Sequence, residues 1–338
     1  MNTYVKLTES TQKSLCCPVC RSKLVFTKEQ FECTNSQCQT NFPVIDGLPI
    51  LINESSSIFY INDFLNHKNT TFDLKPKYKV TQFIRKRLPK IDVNFKSEIN
   101  YEKFAKLVRK QNDNPKVLVI GGSIIGQGME AIFSEQSIEF IASDVSFGSC
   151  TKLICDAHDL PFDEQSFEGV IVQAVLEHVV DPNRCVEEIH RVLKENGVVY
   201  AETPFMQQVH MGRYDFTRFT HLGHRRLFRK FEEISSGPVC GPGMALAWSY
   251  HYFILSFVKT RAAQFLVTVF TRLTSFWLKY LDYYLIDKPG TFDAASGYYF
   301  IGIKSNKILS DRDLIKLYTR YTINFFKVKS WYKFIANE

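Results

Sequence analysis

From Lys116 onward, short apolar runs alternate with stretches of helical period. Lys116 to Ile120, Ile138 to Ala142, Lys152 to Cys155, Gly169 to Gln173 and Val198 to Ala201 are bounded by turn residues and predict buried strands. Phe231 to Ile234 is a candidate sixth strand and Gly297 to Ile303 (GYYFIGI) a last one. Met129 to Phe133 suits a helix between the first two strands. Val186, Ile189, Val192 and Leu193 share one face of another helix, which Asp181 caps and Pro182 opens, and Gly197 suits its C-terminal stop. This alternation predicts an α/β fold: a seven-stranded, mostly parallel sheet with helices on both faces.

The same pattern divides the chain. Residues 14–52 read as a small Cys-rich β module, and 53–114 as a connecting helical layer, with Tyr101 to Val108 its clearest helix. Residues 115–304 form the α/β domain, and 305–338 a helical tail. Inside the domain, 244–286 is a helical insert before the last strand. Met244 to Val258 holds 15 residues without Lys, Arg, Asp or Glu, too few to span a bilayer. From Ala262 to Asp287 the polar residues Gln264, Thr268, Thr271, Ser275, Lys279 and Asp282 recur every three or four positions, a narrow polar stripe on an apolar helix. Such a helix packs on the core or on a second subunit, or it lies in a membrane interface. Lys259, Arg261, Arg272 and Lys279 suit anionic headgroups.

Composition narrows this little further. The 338 residues are 45% hydrophobic and 23% charged, which excludes a disordered chain. The net charge of +7, spread along the chain, favours an anionic partner without choosing one. The polar N-terminus lacks the apolar core of a secretory signal, and no run of about 20 apolar residues exists. The expectation is a cytoplasmic protein, peripheral at the inner membrane face if the insert meets lipid.

The nine cysteines are informative. Cys17-Pro-Val-Cys20 and Cys33-x4-Cys38 give four thiolates in two close pairs, suited to one structural zinc held tetrahedrally. Cys16 could replace Cys17. Cys150, Cys155, Cys185 and Cys240 are scattered, which fits a reducing compartment better than a disulfide framework. In the domain, strand 1 runs into Gly121-Gly122-Ser123-Ile124-Ile125-Gly126, where glycines allow a ligand close to the backbone; Ser123 stands where a second spaced glycine is usual. Asp144 ends strand 2, Asp156-Ala157 follows strand 3, and Gln173 ends strand 4. All lie at the carboxyl edge of one sheet, the edge where open α/β sheets bind ligands.

The run DAHDLPFDEQSFEGVIVQAVLEHVVDPNRCVEEIHRVLKENGVVYAETPF (156–205) resembles the central segment of class I S-adenosylmethionine-dependent methyltransferases of the ubiquinone-methyltransferase-like group. The shared signs are the Asp-Ala pair, Leu-Pro-Phe, Leu-Glu-His and Leu-Lys-x-x-Gly, over about residues 115–235. The resemblance implies a Rossmann-like fold and roles within it. Gly121, Gly122, Ser123 and Gly126 would line the methionine part of S-adenosylmethionine. Asp144 would bind its ribose, Asp156 and Ala157 its adenine, and Gln173 would close the site. Val119 departs from the acidic residue usual in strand 1, and the short link from Asp144 to Asp156 implies loss of the helix between strands 2 and 3. Both features resemble a sub-group that also carries sequences like Glu202 to His210 and Tyr214 to Thr220, many of whose members are associated with bacterial surface-glycan biosynthesis. Phe42-Pro-Val-Ile-Asp-Gly-Leu-Pro-Ile-Leu51 makes the Cys module similar to the zinc-ribbon activators of tRNA and protein methyltransferases.

The segment HMGRYDFTRFTHLGHRR (210–226) is dense in groups that could take a proton from an acceptor hydroxyl. His210, Asp215 and His221 are candidates, with His178 a fourth. Arg213 and Arg218 could grip an anionic acceptor, although Asp215 and Arg218 could equally be a structural ion pair. The expected acceptor is a hydroxyl of a small molecule, glycan or lipid-linked glycan. Alternatives are RNA, supported by the basic aromatic stretch Lys327 to Lys333, and a non-catalytic scaffold on the same fold.

Overall fold

The computed structural model describes residues 4–67, 87–133 and 135–318. Its strands are β1 (Leu24–Thr27), β2 (Gln30–Cys33), β3 (Asn41–Ile45), β4 (Leu48–Leu51), β5 (Lys116–Ile120), β6 (Glu139–Asp144), β7 (Leu153–Cys155), β8 (Phe167–Gln173), β9 (Leu193–Pro204), β10 (Phe231–Cys240) and β11 (Gly297–Lys304). Its helices are α1 (Glu9–Gln12), α2 (Ile61–Leu65), α3 (Ser97–Arg109), α4 (Glu130–Phe133), α5 (Pro182–Val192), α6 (His221–Leu227), α7 (Pro242–Leu255), α8 (Arg261–Ser275), α9 (Asp282–Leu285), α10 (Thr291–Ala294) and α11 (Asp311–Lys316). The predicted tail is described only as far as residue 318. Lys327 to Lys333 lies outside the described residues, as does 68–86 of the connecting layer.

One sheet runs through the molecule in the order β1-β2-β3-β4-β7-β6-β5-β8-β9-β11-β10. It has eleven strands rather than the seven expected, because the Cys-rich module does not fold apart from the domain. The module is an antiparallel meander whose last strand, β4, pairs in parallel with β7, matching Ile50 with Ile154 and Leu51 with Cys155. β7 has only three residues, and no helix stands between β6 and β7. Such a strand would otherwise leave a bare sheet edge. The domain strands pair in parallel, β7 with β6, β6 with β5, β5 with β8 and β8 with β9, whereas β11 runs antiparallel between β9 and β10.

Strand alternation builds two cores. Leu118 and Ile120 of β5 face one side with Ile189 and Val192 of α5, together with the module's Phe31 and Phe42. Val117 and Val119 face the other, under Tyr101, Phe104 and Val108 of α3. Asp181 caps α5 as its sequence predicts, accepting from the backbone N–H of Asn183 and Arg184 at 3.0 and 3.1 Å. Gly197 does not stop the helix. α5 ends at Val192 and the chain enters β9 directly; Asn196 takes the left-handed conformation (φ +63°) within a register shift opposite β8.

The insert is α7, α8, a 3-10 turn (Phe276–Leu281) and the short α9, rather than one long helix after Ala262. Part of its polar stripe points inward: Thr271 and Asp282 are 0% exposed and Ser275 2%, whereas Gln264 is exposed. Asp282 accepts from the backbone N–H of Gly243 (2.7 Å) and Met244 (2.9 Å), satisfying the first turn of α7, and His251 Nδ1 meets Thr271 Oγ1 at 2.7 Å. With the polar groups spent between the helices, the apolar flanks face outward.

A polar seam joins module to domain. Asp159 accepts from Asn53 Nδ2 (3.2 Å), Ser56, Arg21 and Arg184, and Arg21 also reaches Leu160 O (2.7 Å) and Glu188 (2.9 Å). Asp159 is buried while both arginines are about a third or more exposed, so screening reduces the ion-pair terms. Asp159→Ala, which strands several donors at once, is expected to lower unfolding free energy by about 1–3 kcal/mol. Urea denaturation checks it. A loss equal to that of an exposed control such as Glu187→Ala would mean the seam does not hold the module.

Candidate active site

Two cavities open at the carboxyl ends of β5, β6, β7 and β8, and Gly121 borders both. Gly121 sits at φ +74°, and a Cβ there would stand 2.2 Å from Val175 Cγ2, so only glycine fits the turn. The smaller cavity, about 80 Å³, is bounded by Asp144, Asp156, Ala157 and, from the segment after the Cys module, Ile58 and Phe59. The larger, about 340 Å³, is lined by Gly126, Gln173, Glu177, Glu202 and His210, with Met244 and Trp248 of the insert.

Each cofactor candidate has a definite place. Ser123, in the position of a second glycine, donates its backbone N–H to Asp144 Oδ2 at 3.0 Å. Burial raises the Asp144 pKa against that bond. Gly122 lies beside it, under Val119 and Ala142. Asp156 accepts from His158 Nδ1 at 2.6 Å and from Ser57 Oγ at 2.6 Å; His158 Nε2 accepts from the Asp181 N–H, which fixes the proton on Nδ1. Burial would raise the Asp156 pKa, but the bonds and charge of His158 together with the Ser57 bond lower it on balance and keep the group ionised. Gln173 donates to Gln127 O (3.2 Å) and Glu202 (2.9 Å), and a Cβ on Gly126 would stand 1.8 Å from its Oε1. Ala174 follows at φ +53°, a strained position for a side chain, on the wall of the larger cavity.

These residues fit S-adenosylmethionine. Carboxylates stand at the end that would take ribose and adenine. At the other end Tyr101 Oη, Thr203 Oγ1, Trp248 Nε1 and Ser296 Oγ border the larger cavity, buried and without hydrogen-bond partners among the described residues. A polar ligand there satisfies groups that otherwise carry a desolvation cost.

The four proton-transfer candidates separate. His210 borders the larger cavity and His178 the smaller. Their rings meet edge to face at 4.8 Å. Burial, then His210, pushes the His178 pKa down to about 4. His221 is not brought to either cavity. It bonds Ser236 Oγ at 3.0 Å and packs between Phe292 and Tyr298. Asp215 is a clasp. It accepts from Arg218 and from the backbone N–H of His210 at 2.9 Å. Against burial, the Arg218 bond holds its carboxyl well below the usual range. Arg218 spends its other donors on Gln207 O and Gln208 O, so it is not free to grip an acceptor. Arg213 lies over the Tyr214 ring, 4.8 Å from its centroid.

Two acids escaped the sequence reading. Glu177 is fully buried, neither carboxylate oxygen has a hydrogen-bond partner among the described residues, and burial pushes its pKa up to about 8. Glu202 accepts from Tyr200, Gln173 and Asn94, the last at 2.7 Å. Both stood inside quoted motifs, Leu-Glu-His and Glu-Thr-Pro. An acid within a predicted buried run was the available signal.

At the N-terminus Cys17, Cys20, Cys33 and Cys38 present sulfurs all within 4.8 Å of one another, with Cys17–Cys38 at 3.8 Å and Cys20–Cys33 at 3.4 Å. Four thiolates at about 2.3 Å from one zinc stand about 3.8 Å apart. The cluster fits zinc, and Cys16 is not part of it.

A family model described as a methyltransferase domain matches residues 122–201. That stretch of the chain is similar to a methyltransferase domain. A demethylmenaquinone methyltransferase of Clavibacter sepedonicus is 44% identical over 63 residues, 18% of this chain and 25% of that protein. The chain thus spans about a quarter of the length of the curated relative it matches. Among solved structures, phosphoethanolamine N-methyltransferase 2 of Haemonchus contortus with S-adenosyl-L-methionine is 17% identical over 61% of this chain and 53% of that one, at a TM-score of 0.38. A complex of the Haloferax volcanii Trm112 methyltransferase activator with a methyltransferase is 18% identical over 62% and 92%, at 0.36. The [4+2]-cyclase SpnF is 14% identical over 62% and 80%, at 0.37.

Two outcomes are expected. Gly121→Ala should weaken S-adenosylmethionine binding by about tenfold or more in calorimetry, because the turn must move to admit a methyl group. The protein as purified should carry one zinc per chain by elemental analysis, and Cys20→Ser should lose it. Full zinc retention in that variant would exclude the thiol cluster as the site.

Proposed function

We propose that the chain is an S-adenosylmethionine-dependent methyltransferase whose acceptor is a hydroxyl of a lipid-linked glycan or lipid, taken from an anionic membrane surface. When bound, S-adenosylmethionine supplies a methyl group already activated on its sulfonium. The protein's task is then to orient the acceptor and exclude water, and orientation alone contributes on the order of 7 to 11 kcal/mol. The larger cavity, walled by Gln173, Glu202, Met244 and Trp248, serves that purpose.

The observation that carries the acceptor class is the insert, which does two things at once. Its first helix lines the cavity with Met244 and Trp248 and holds the loop that bears His210, through Tyr252 Oη to Val209 O (3.0 Å) and Gln208 Nε2 to Ser249 Oγ (3.1 Å). Its outer flanks expose Phe257 at 73%, Leu266 at 66%, Phe270 at 52% and Trp277 at 51%. A face this apolar is rare on a free monomer surface. Lys259, Arg261 and Lys288 are exposed beside it, Lys288 and Lys279 lie over the rings of Tyr284 and Tyr280, and the single acid of 244–286, Asp282, is buried. Aromatic groups with cationic neighbours suit the interface of an anionic bilayer. No helix among the described residues is long and apolar enough to cross a membrane.

The protein is expected to float with vesicles containing phosphatidylglycerol and much less with neutral phosphatidylcholine vesicles. Phe270→Glu with Trp277→Glu should reduce flotation about tenfold or more while leaving S-adenosylmethionine binding unchanged. Labelled methyl groups should enter a lipid extract. Absence of flotation together with a dimer that the same substitutions break would assign the face to a second copy, and label in RNA or free polysaccharide alone would overturn the acceptor.

A further inference from the structure

Beside the larger cavity, Glu177, His178 and His210 each present a ligand atom, all within 4.8 Å of one another. We propose that these three side chains form a divalent-cation site that opens on the acceptor cavity, distinct from the thiol cluster.

Four observations carry it. Glu177 is fully buried with both oxygens unpartnered, at a cavity wall that it lines together with His210. A carboxylate so placed needs a positive or donating ligand. Both imidazoles use Nδ1 elsewhere: His178 Nδ1 donates to Tyr214 O at 2.8 Å, and His210 Nδ1 to Gln208 O at 3.4 Å. That leaves the Nε2 lone pair of each free, and a ring held through its other nitrogen by an oxygen is the usual second support of a metal-bound histidine. Asp215, clamped by Arg218, stands 3.5 Å from His210 Nδ1 and reinforces that tautomer. Finally, His178 Nε2 lies 3.6 Å from Glu177 Oε1, too far for a direct hydrogen bond. Two ligands at about 2.1 Å from a common ion stand about 3.0 to 3.6 Å apart, from right-angled to trigonal geometry. His210 is the exposed member of the three.

The supporting backbone is fixed. The Glu177 carbonyl accepts from the N–H of Phe216 (2.8 Å) and Thr217 (3.2 Å), tying the loop after β8 to the segment that follows Asp215. Two neutral imidazoles and one carboxylate suit Mn2+, Fe2+, Co2+ or Zn2+, and three protein ligands leave positions open to the cavity. For the methyl transfer proposed above, a cation there would hold the acceptor hydroxyl and ease passage of its proton to solvent as the O–CH3 bond forms and the S–CH3 bond of S-adenosylmethionine breaks to leave S-adenosylhomocysteine, so the histidines bind rather than shuttle a proton. The site itself stands on geometry and does not depend on that transfer.

The test uses the full chain, stripped with chelator and then loaded with one equivalent of zinc to fill the thiols. Titration with Mn2+, read by electron paramagnetic resonance, and with Co2+, read by visible absorption, should show one further cation per chain. Glu177→Gln and His210→Gln should each weaken binding about tenfold or more, with circular dichroism unchanged, and Glu187→Gln should have no effect. His210 lies on an exposed loop, so its variant keeps the test intact if Glu177→Gln fails to fold. Absence of a further Mn2+ or Co2+, or binding that survives His210→Gln at full strength, would overturn the site. Cation binding without methyl transfer would leave it standing and reject the enzymatic reading alone.

Discussion

The parallel pairing of β4 with β7 is the constraint on which the rest of the molecule turns. A sheet whose third domain strand has three residues, with no helix between it and β6, presents an open, twisted edge. β4 closes it with backbone hydrogen bonds, and the Asp159 seam fixes the angle at which the module arrives. From that docking follows the position of residues 57–59, which place Ser57 on Asp156 and Phe59 at the smaller cavity. The metal-ready module thus reaches the proposed cofactor pocket through one strand and the eight residues that follow it, 52–59.

Much of this was legible in the sequence, and the failures share a cause. The strands of 115–304 follow from apolar runs bounded by turns, and the α5 start from Asp181-Pro182, because those signals are local. The continuation of the sheet into the module was not legible. Ile50 and Ile154 are over a hundred residues apart, and nothing near either names the other. The insert shows the same limit. Its period was readable, but period does not tell which side faces in. Asp282 decides that by binding two N–H groups of α7, a contact between segments of chain.

The candidate site was half legible for a similar reason. Glycines, acids and an amide at strand ends can be read in order, since topology carries them to one edge. Side chains in 210–226 could not be sorted, because their roles depend on who binds them first. Arg218 takes Asp215 out of proton chemistry and is itself consumed. His221 turns toward Ser236. Glu177, beside a more conspicuous histidine, is the acid left without a partner.

The β4–β7 ladder also sets an order of events in time. The ribosome delivers β4 about a hundred residues before β7, so the module can complete its meander while its last strand, paired with β3, still lacks its second neighbour. During that interval the free edge is open to other nascent chains as well as to its own. Closing it joins sites far apart in sequence and is intrinsically slow. The period of greatest exposure to aggregation therefore falls in mid-synthesis and lasts until β7 pairs with β4.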